Sequence, residues 1–132
     1  MTYTYKHVVT KDEIDFLNHV NNVVYLQWIN DVSLKHWLSI SNKHINSAYY
    51  WVAVRHEIDY KKSAFLKDTI TLKTWIDSLE GVKSIRIVEV YKEDILIAKS
   101  KTIWCLMDAK TEKISKIPDE IKKLFTFKDS ST

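Results

Sequence analysis

Glycine and proline are almost absent: the 132 residues hold one of each. With so few residues suited to sharp turns, the chain is predicted to run in long regular elements with short connections. Cysteine is as scarce. A lone Cys105 excludes an internal disulfide framework and a thiolate metal cluster. No apolar run approaches the roughly 20 residues that cross a bilayer as a helix, so no membrane partner is expected. The opening residues, MTYTYKHVV, lack the basic start and apolar stretch of a secretory signal, and a cytoplasmic location is expected. Charge of one sign is missing too. Twenty Lys and Arg stand against 17 Asp and Glu, for a net charge of +3 with no basic block. A nucleic-acid partner would leave a stronger electrostatic footprint. No His, Cys and acid cluster has metal-ligand spacing, and neither a metal nor a cofactor is predicted.

What the chain does have is apolar and aromatic material: 45% hydrophobic residues, five Trp and seven Tyr. The length fits one domain, residues 1–132, with a real core. Residues 2–10 alternate in strand fashion, and residues 11–21 are polar and read as a loop. Residues 22–40 form the best helical candidate, capped by Asn21 or Asn22. Gln27, Asp31 and Lys35 make one narrow polar stripe on an otherwise apolar helix. Such a helix is a buried one, and something must wrap it.

The wrapping material follows. Residues 50–62 alternate, with Val52, Val54, His56, Ile58 and Tyr60 on one face and Arg55, Glu57, Asp59 and Lys61 on the other. Residues 69–78, 82–93 and 95–108 repeat the pattern. Lys67-Asp68, Glu80-Gly81 and Glu93-Asp94 read as turns, so consecutive strands are expected to pair antiparallel. Pro118 opens a short helix, 119–125, and 126–132 read as a frayed tail. The expected fold is α+β: one antiparallel sheet of about five strands curled around one long helix. An exposed sheet edge would invite pairing with a second copy.

The polar loop carries the chemistry. Asp15 stands just before the long helix, where unsatisfied N–H groups and the positive end of the helix dipole lie. A carboxylate there can act as nucleophile or general base, and the Asn22 backbone N–H can stabilise an oxyanion. Taken alone, Asp15 reads as a loop or capping residue, His19 as a scaffold for the loop, His56 as a satisfied core histidine and Cys105 as packing. Tyr25 and Trp28 read as core or pocket wall. Trp28, Trp37, Trp51 and Trp104 are bulky enough to shorten any apolar slot they line.

The segment DFLNHVNNVVYLQWI, residues 15–29, resembles the signature of the 4-hydroxybenzoyl-CoA thioesterase-like branch of the hotdog superfamily. Asp15, His19, Val20, Asn21, Asn22 and Tyr25 match it. Ile58-Asp59-Tyr60 with Asp68, and Ile97-Ala98 through Trp104 to Ile117-Pro118, resemble later strands of that family. Two positions depart: Asn18 replaces the usual Gly, and Asn30 replaces a Glu that many relatives carry on the helix. The resemblance implies a hotdog fold and an acyl-CoA thioesterase, with an acyl-carrier-protein substrate or a non-catalytic acyl-CoA-binding role as alternatives. It implies Asp15 as the catalytic carboxylate, the Asn22 N–H as oxyanion donor and His19 as a secondary candidate. Tyr25, Trp28, His56 and Tyr60 are the substrate-binding candidates. It also implies a homodimer or homotetramer, and coenzyme A phosphates held near lysines and Arg55 or Arg86.

Overall fold

Asn21 settles where the long helix starts. Its backbone is extended and its side-chain oxygen accepts the Val23 N–H at 3.1 Å, satisfying one of the orphan first-turn donors. The computed structural model describes the backbone of residues 1–130 and the side chains of residues 1–125. Helix α1 is Asn22–Ile40, as the sequence predicts. Helix α2, Lys43–Ala48, is a short addition opened by Asn42, whose side chain accepts the Ile45 N–H. Six residues are too few for a 3.6-residue period to declare itself. Helix α3, Asp119–Ser130, runs past the expected end at 125 and takes up part of the expected tail. Residues 131–132 of that tail lie outside the described residues. Among the described residues, no helix is long and apolar enough to cross a membrane.

The strands are β1 Tyr3–Val8, β2 Tyr49–Tyr60, β3 Thr69–Glu80, β4 Lys83–Lys92 and β5 Ile95–Asp108. They form one antiparallel sheet in the order β1-β3-β4-β5-β2. The β3–β4 and β4–β5 hairpins match the turn signals, and Gly81 (φ 64) and Glu93 (φ 55) supply the left-handed residues these turns need. The Lys67-Asp68 turn does not make a hairpin. Lys61 and Lys62 donate to the Ile97 carbonyl, fastening the end of β2 to β5, while the Lys67 N–H and the Asp68 carbonyl bond to Val9. The link therefore crosses from one side of the sheet to the other, and β2 becomes an edge strand.

The faces of β2 also differ from simple alternation. Its pairing with β5 skips Val54, which bulges between Ala53 and Arg55. One extra residue reverses which side chains point inward. Trp51 and Ala53 face in before the bulge, and His56 and Ile58 after it. Val52 and Val54 are exposed, at 39% and 55%. They do not share a face with His56.

The core has two apolar lobes. The first joins Val20, Tyr25, Trp28, Ile29 and Val32 to Ile70, Leu72, Val88, Val90, Ile97 and Ala98. The second joins Trp37, Ile45, Leu106, Ile117, Ile121 and Phe125. Between them stand buried polar residues: Ser33 and His36 on α1, Thr74 on β3, Ser100 and Thr102 on β5. Arg86 and Ser84 extend this belt on β4. The helix is not covered all round. Val23, Leu34 and Leu38 are exposed beside the polar stripe of Gln27, Asp31 and Lys35.

Candidate active site

The loop before α1 folds into a tight reversal. Ile14 and Val20 form an isolated antiparallel bridge. Asp15 N–H donates to the His19 carbonyl at 3.0 Å, and Asn18 N–H donates to the Asp15 carbonyl at 3.0 Å. Asn18 sits at φ 67, the left-handed conformation in which Gly is usual and Asn is the best substitute. Asn therefore fits where the resemblance expects glycine. Val20 N–H donates to the Ala64 carbonyl, which ties the loop to the β2–β3 link.

Asp15 is held at one oxygen. Its Oδ1 accepts the Leu17 N–H at 2.9 Å, and His19 Nδ1 lies 3.8 Å from the same oxygen. That separation is too long for a hydrogen bond. His19 Nδ1 also faces the Val20 carbonyl at 3.3 Å. The Asp15 side chain keeps 18% of its surface exposed. Phe16 and Leu17 beside it are 91% and 58% exposed, an apolar tip turned to solvent. The Asn22 N–H, at the first position of α1, donates to no acceptor among the described residues.

The four substrate-binding candidates occupy different depths. Tyr60 is exposed and donates its hydroxyl to the Asn22 carbonyl at 3.2 Å. Tyr25 is buried beneath it in edge-to-face contact, and its Oη accepts the Ala64 N–H at 3.1 Å. Burial pushes the Tyr25 phenol up. Trp28 is buried and donates to Glu13 Oε2 at 2.7 Å. His56 lies farther along the sheet, with Nδ1 2.8 Å from Thr102 Oγ1 and its ring edge-on to Trp104. Burial lowers its pKa. The structure thus brings Asp15, His19, Asn22, Tyr60 and Tyr25 around the helix start and leaves His56 apart from them.

Glu13 is the residue that sequence reasoning missed. Its carboxylate joins His7 Nε2 (2.8 Å), the Thr10 N–H (2.9 Å) and Trp28 Nε1 (2.7 Å), while its carbonyl accepts the Asn21 N–H. Burial alone would raise its pKa, but these bonds outweigh burial and hold it below the usual value. The signal was present as Thr10-x-x-Glu13, the spacing of a capping box. Arg86 requires a correction of another kind. It is 4% exposed and cannot meet phosphates at the surface. Arg55 is exposed and pairs with Glu57 at 2.7 Å.

A cavity of about 330 Å³ opens at the second lobe. Trp37, Trp51 and Trp104 line it with Asn30, Ser84 and Arg86. Three of the four bulky tryptophans named as slot-shortening candidates therefore share one cavity. Trp28 faces a different groove, with Tyr5, His7 and Glu13.

A family model described as the thioesterase-like superfamily matches residues 8–125. The long-chain acyl-CoA thioesterase FadM of Escherichia coli is 23% identical over 120 residues, covering 83% of this chain and 86% of that protein. The chloroplast acyl-[acyl-carrier-protein] hydrolase FATB3 of Cuphea viscosissima is 31% identical over 77 residues, covering 55% of this chain. The chain spans only 18% of the length of FATB3 and likewise of the related FATB2. Among solved structures, SAV2348 of Staphylococcus aureus in complex with CoA superposes with a TM-score of 0.88 at 19% identity, covering 96% of this chain and 83% of that one. Slr0204, a 1,4-dihydroxy-2-naphthoyl-CoA thioesterase from Synechocystis, superposes with a TM-score of 0.84 at 18% identity, covering 98% of both chains. The five-stranded antiparallel sheet with its long helix is the hotdog fold of these neighbours.

Proposed function

Because the chain belongs to the thioesterase-like superfamily, we propose that it is a thioester hydrolase that cleaves an acyl-CoA to free acid and CoA with Asp15 as the reacting carboxylate. The carrying observation is the pairing of a partly exposed carboxylate with a helix start whose first amide, at Asn22, has no acceptor among the described residues. Thioester hydrolysis needs a nucleophile or base and a donor for the developing oxyanion, and these two groups supply them. Asp15 either attacks the carbonyl carbon and expels the CoA thiolate, leaving an acyl-enzyme anhydride for water to open, or takes a proton from water as that water attacks. Incorporation of labelled oxygen into Asp15 during a single turnover separates the two routes.

In this reading Tyr60 contacts the substrate beside Asn22, with Tyr25 and Trp28 backing the pocket and His56 contributing from the sheet. His19 is a secondary participant that chiefly holds the loop. A CoA thioester is favoured by the CoA complex of the SAV2348 neighbour and by the similarity to FadM, a long-chain acyl-CoA thioesterase. The local match to FATB3 favours an acyl-carrier-protein substrate as the second reading. A thiol-release assay with one acyl group presented on CoA and on a carrier protein decides between them. Faster release from CoA is expected; release from the carrier protein alone reverses the assignment.

The assembly is proposed to be a homodimer, or a homotetramer made from two dimers. Its support is the β2 edge, which exposes Tyr50, Val52 and Val54 together with an unpaired row of backbone groups. The exposed Phe16-Leu17 tip beside Asp15 is a second apolar surface a partner would cover. The proposed location is the cytoplasm.

A further inference from the structure

Arg86 is an unusual charge to find in a core. Its Nη1 lies 2.9 Å from both His36 Nδ1 and Thr74 Oγ1. Its remaining N–H groups meet no acceptor among the described residues, and no carboxylate there pairs with it. A buried charge without a counterion is costly unless something completes it. His36 does not add a second charge, because burial, the Arg86 charge and the N-terminal ammonium hold its pKa down to about 4.

The cavity at the second lobe is where the guanidinium meets open space. Two buried polar atoms of residues that line it, Trp104 Nε1 and Asn30 Oδ1, have no hydrogen-bond partner among the described residues. The rest of the wall is largely apolar, with Leu34, Leu38, Trp37, Trp51, Ile76 and Phe125. An apolar chamber with a cation and an indole N–H in its wall, two residues apart in register across β4 and β5, suits an apolar molecule that ends in an anionic oxygen. The Asn30 amide can turn to add a further donor. At about 330 Å³ the cavity stands at the small end of ligand pockets, which run from about 300 to 1,000 Å³. That size suits a short aliphatic or single-ring acid and not a nucleotide.

We propose that this cavity binds a small apolar carboxylate, with Arg86 and Trp104 holding the carboxylate and the aromatic wall holding the tail. The proposal does not rest on the Asp15 reading. Binding to Arg86 requires no turnover, and the Asp15→Asn variant is expected to bind the same acids.

The test uses the intact chain and matched probes: octanoate against octanamide, and 4-phenylbutyrate against 4-phenylbutyramide. Binding is followed by tryptophan fluorescence, since three tryptophans line the cavity. Each acid should bind at least about tenfold more tightly than its amide, as expected for a hydrogen bond to a buried charge. Arg86→Gln should abolish that preference and leave weak binding of both. The acid-to-amide comparison on the wild-type chain stands even where Arg86→Gln fails to fold. Equal affinity for acid and amide, or no binding of either acid up to its solubility limit, overturns the proposal. Where the acids also inhibit thiol release competitively, the bound carboxylate is the product side of the reaction. Where they bind without inhibiting, the cavity is a separate site.

Discussion

Two single residues carry the sharpest expectations. Asp15→Asn keeps an oxygen to accept the Leu17 N–H, so the loop should survive. Turnover should fall by at least about 100-fold, in line with the loss of an acid–base group. Steady-state thiol release together with circular dichroism checks both parts, and near-normal turnover in a folded variant would remove Asp15 from the mechanism. His36 gives a pH signature. It is stacked on Tyr3, edge-on to Phe125, and faces Arg86 and the N-terminal ammonium. Its pKa is about 4, below the ordinary value of 6.5. Between those values the unfolded chain binds more protons than the native one. The stabilising effect of a neutral His36 is therefore complete above pH 6.5 and is lost as pH falls toward 4, on the order of 3 kcal/mol when fully lost. Melting temperature against pH should show that decline, and His36→Gln should flatten it.

At the scale of elements, the start of α1 is the feature most exposed to test. Asn21→Ala removes the cap that accepts the Val23 N–H and should cost about 1 kcal/mol in denaturant unfolding. Asn18→Ala places a Cβ at φ 67 without the compensation an Asn side chain offers, and should cost about 1–2 kcal/mol. Asn18→Gly should be neutral or slightly stabilising. A larger loss in Asn18→Gly than in Asn18→Ala would show that the Asn side chain, not the backbone angle, shapes the loop. The existence and bounds of α1 were legible from its cap and apolar pattern, and the existence of all five strands from alternation and turn signals. The β2 bulge was not. A bulge leaves no mark when both neighbours of the extra residue, Ala53 and Arg55, look like ordinary strand residues.

At the scale of the whole molecule, the β2 edge and the bare parts of α1 bear on assembly. Light scattering at micromolar concentration should return the mass of a dimer or tetramer. Val52→Lys, at an exposed position on the edge strand, should shift the population toward monomer, because a charge on an edge discourages pairing. A wild-type monomer would overturn the assembly. The order β1-β3-β4-β5-β2 also belongs to this scale. The Lys67-Asp68 turn looks locally like the other two. Only the bonds of Lys61 and Lys62 to Ile97, and of Lys67 and Asp68 to Val9, show that the link crosses between strands that are not neighbours.

The sequence by itself determined the long helix and its start, the strand-rich remainder and the loop from Asp15 to Asn22. Each is written in short-range pattern: a cap, a period, a motif. The tertiary structure alone decided the rest. It placed Glu13 under the loop through His7 and Trp28, moved Arg86 from a surface candidate to the buried belt, and put Trp37, Trp51 and Trp104 around one cavity. Alternation along a strand says which face a side chain takes, but what waits on that face depends on residues far along the chain. Arg86 alternates inward like Val88 and Val90, and nothing local distinguishes a position under His36 from one under Val32.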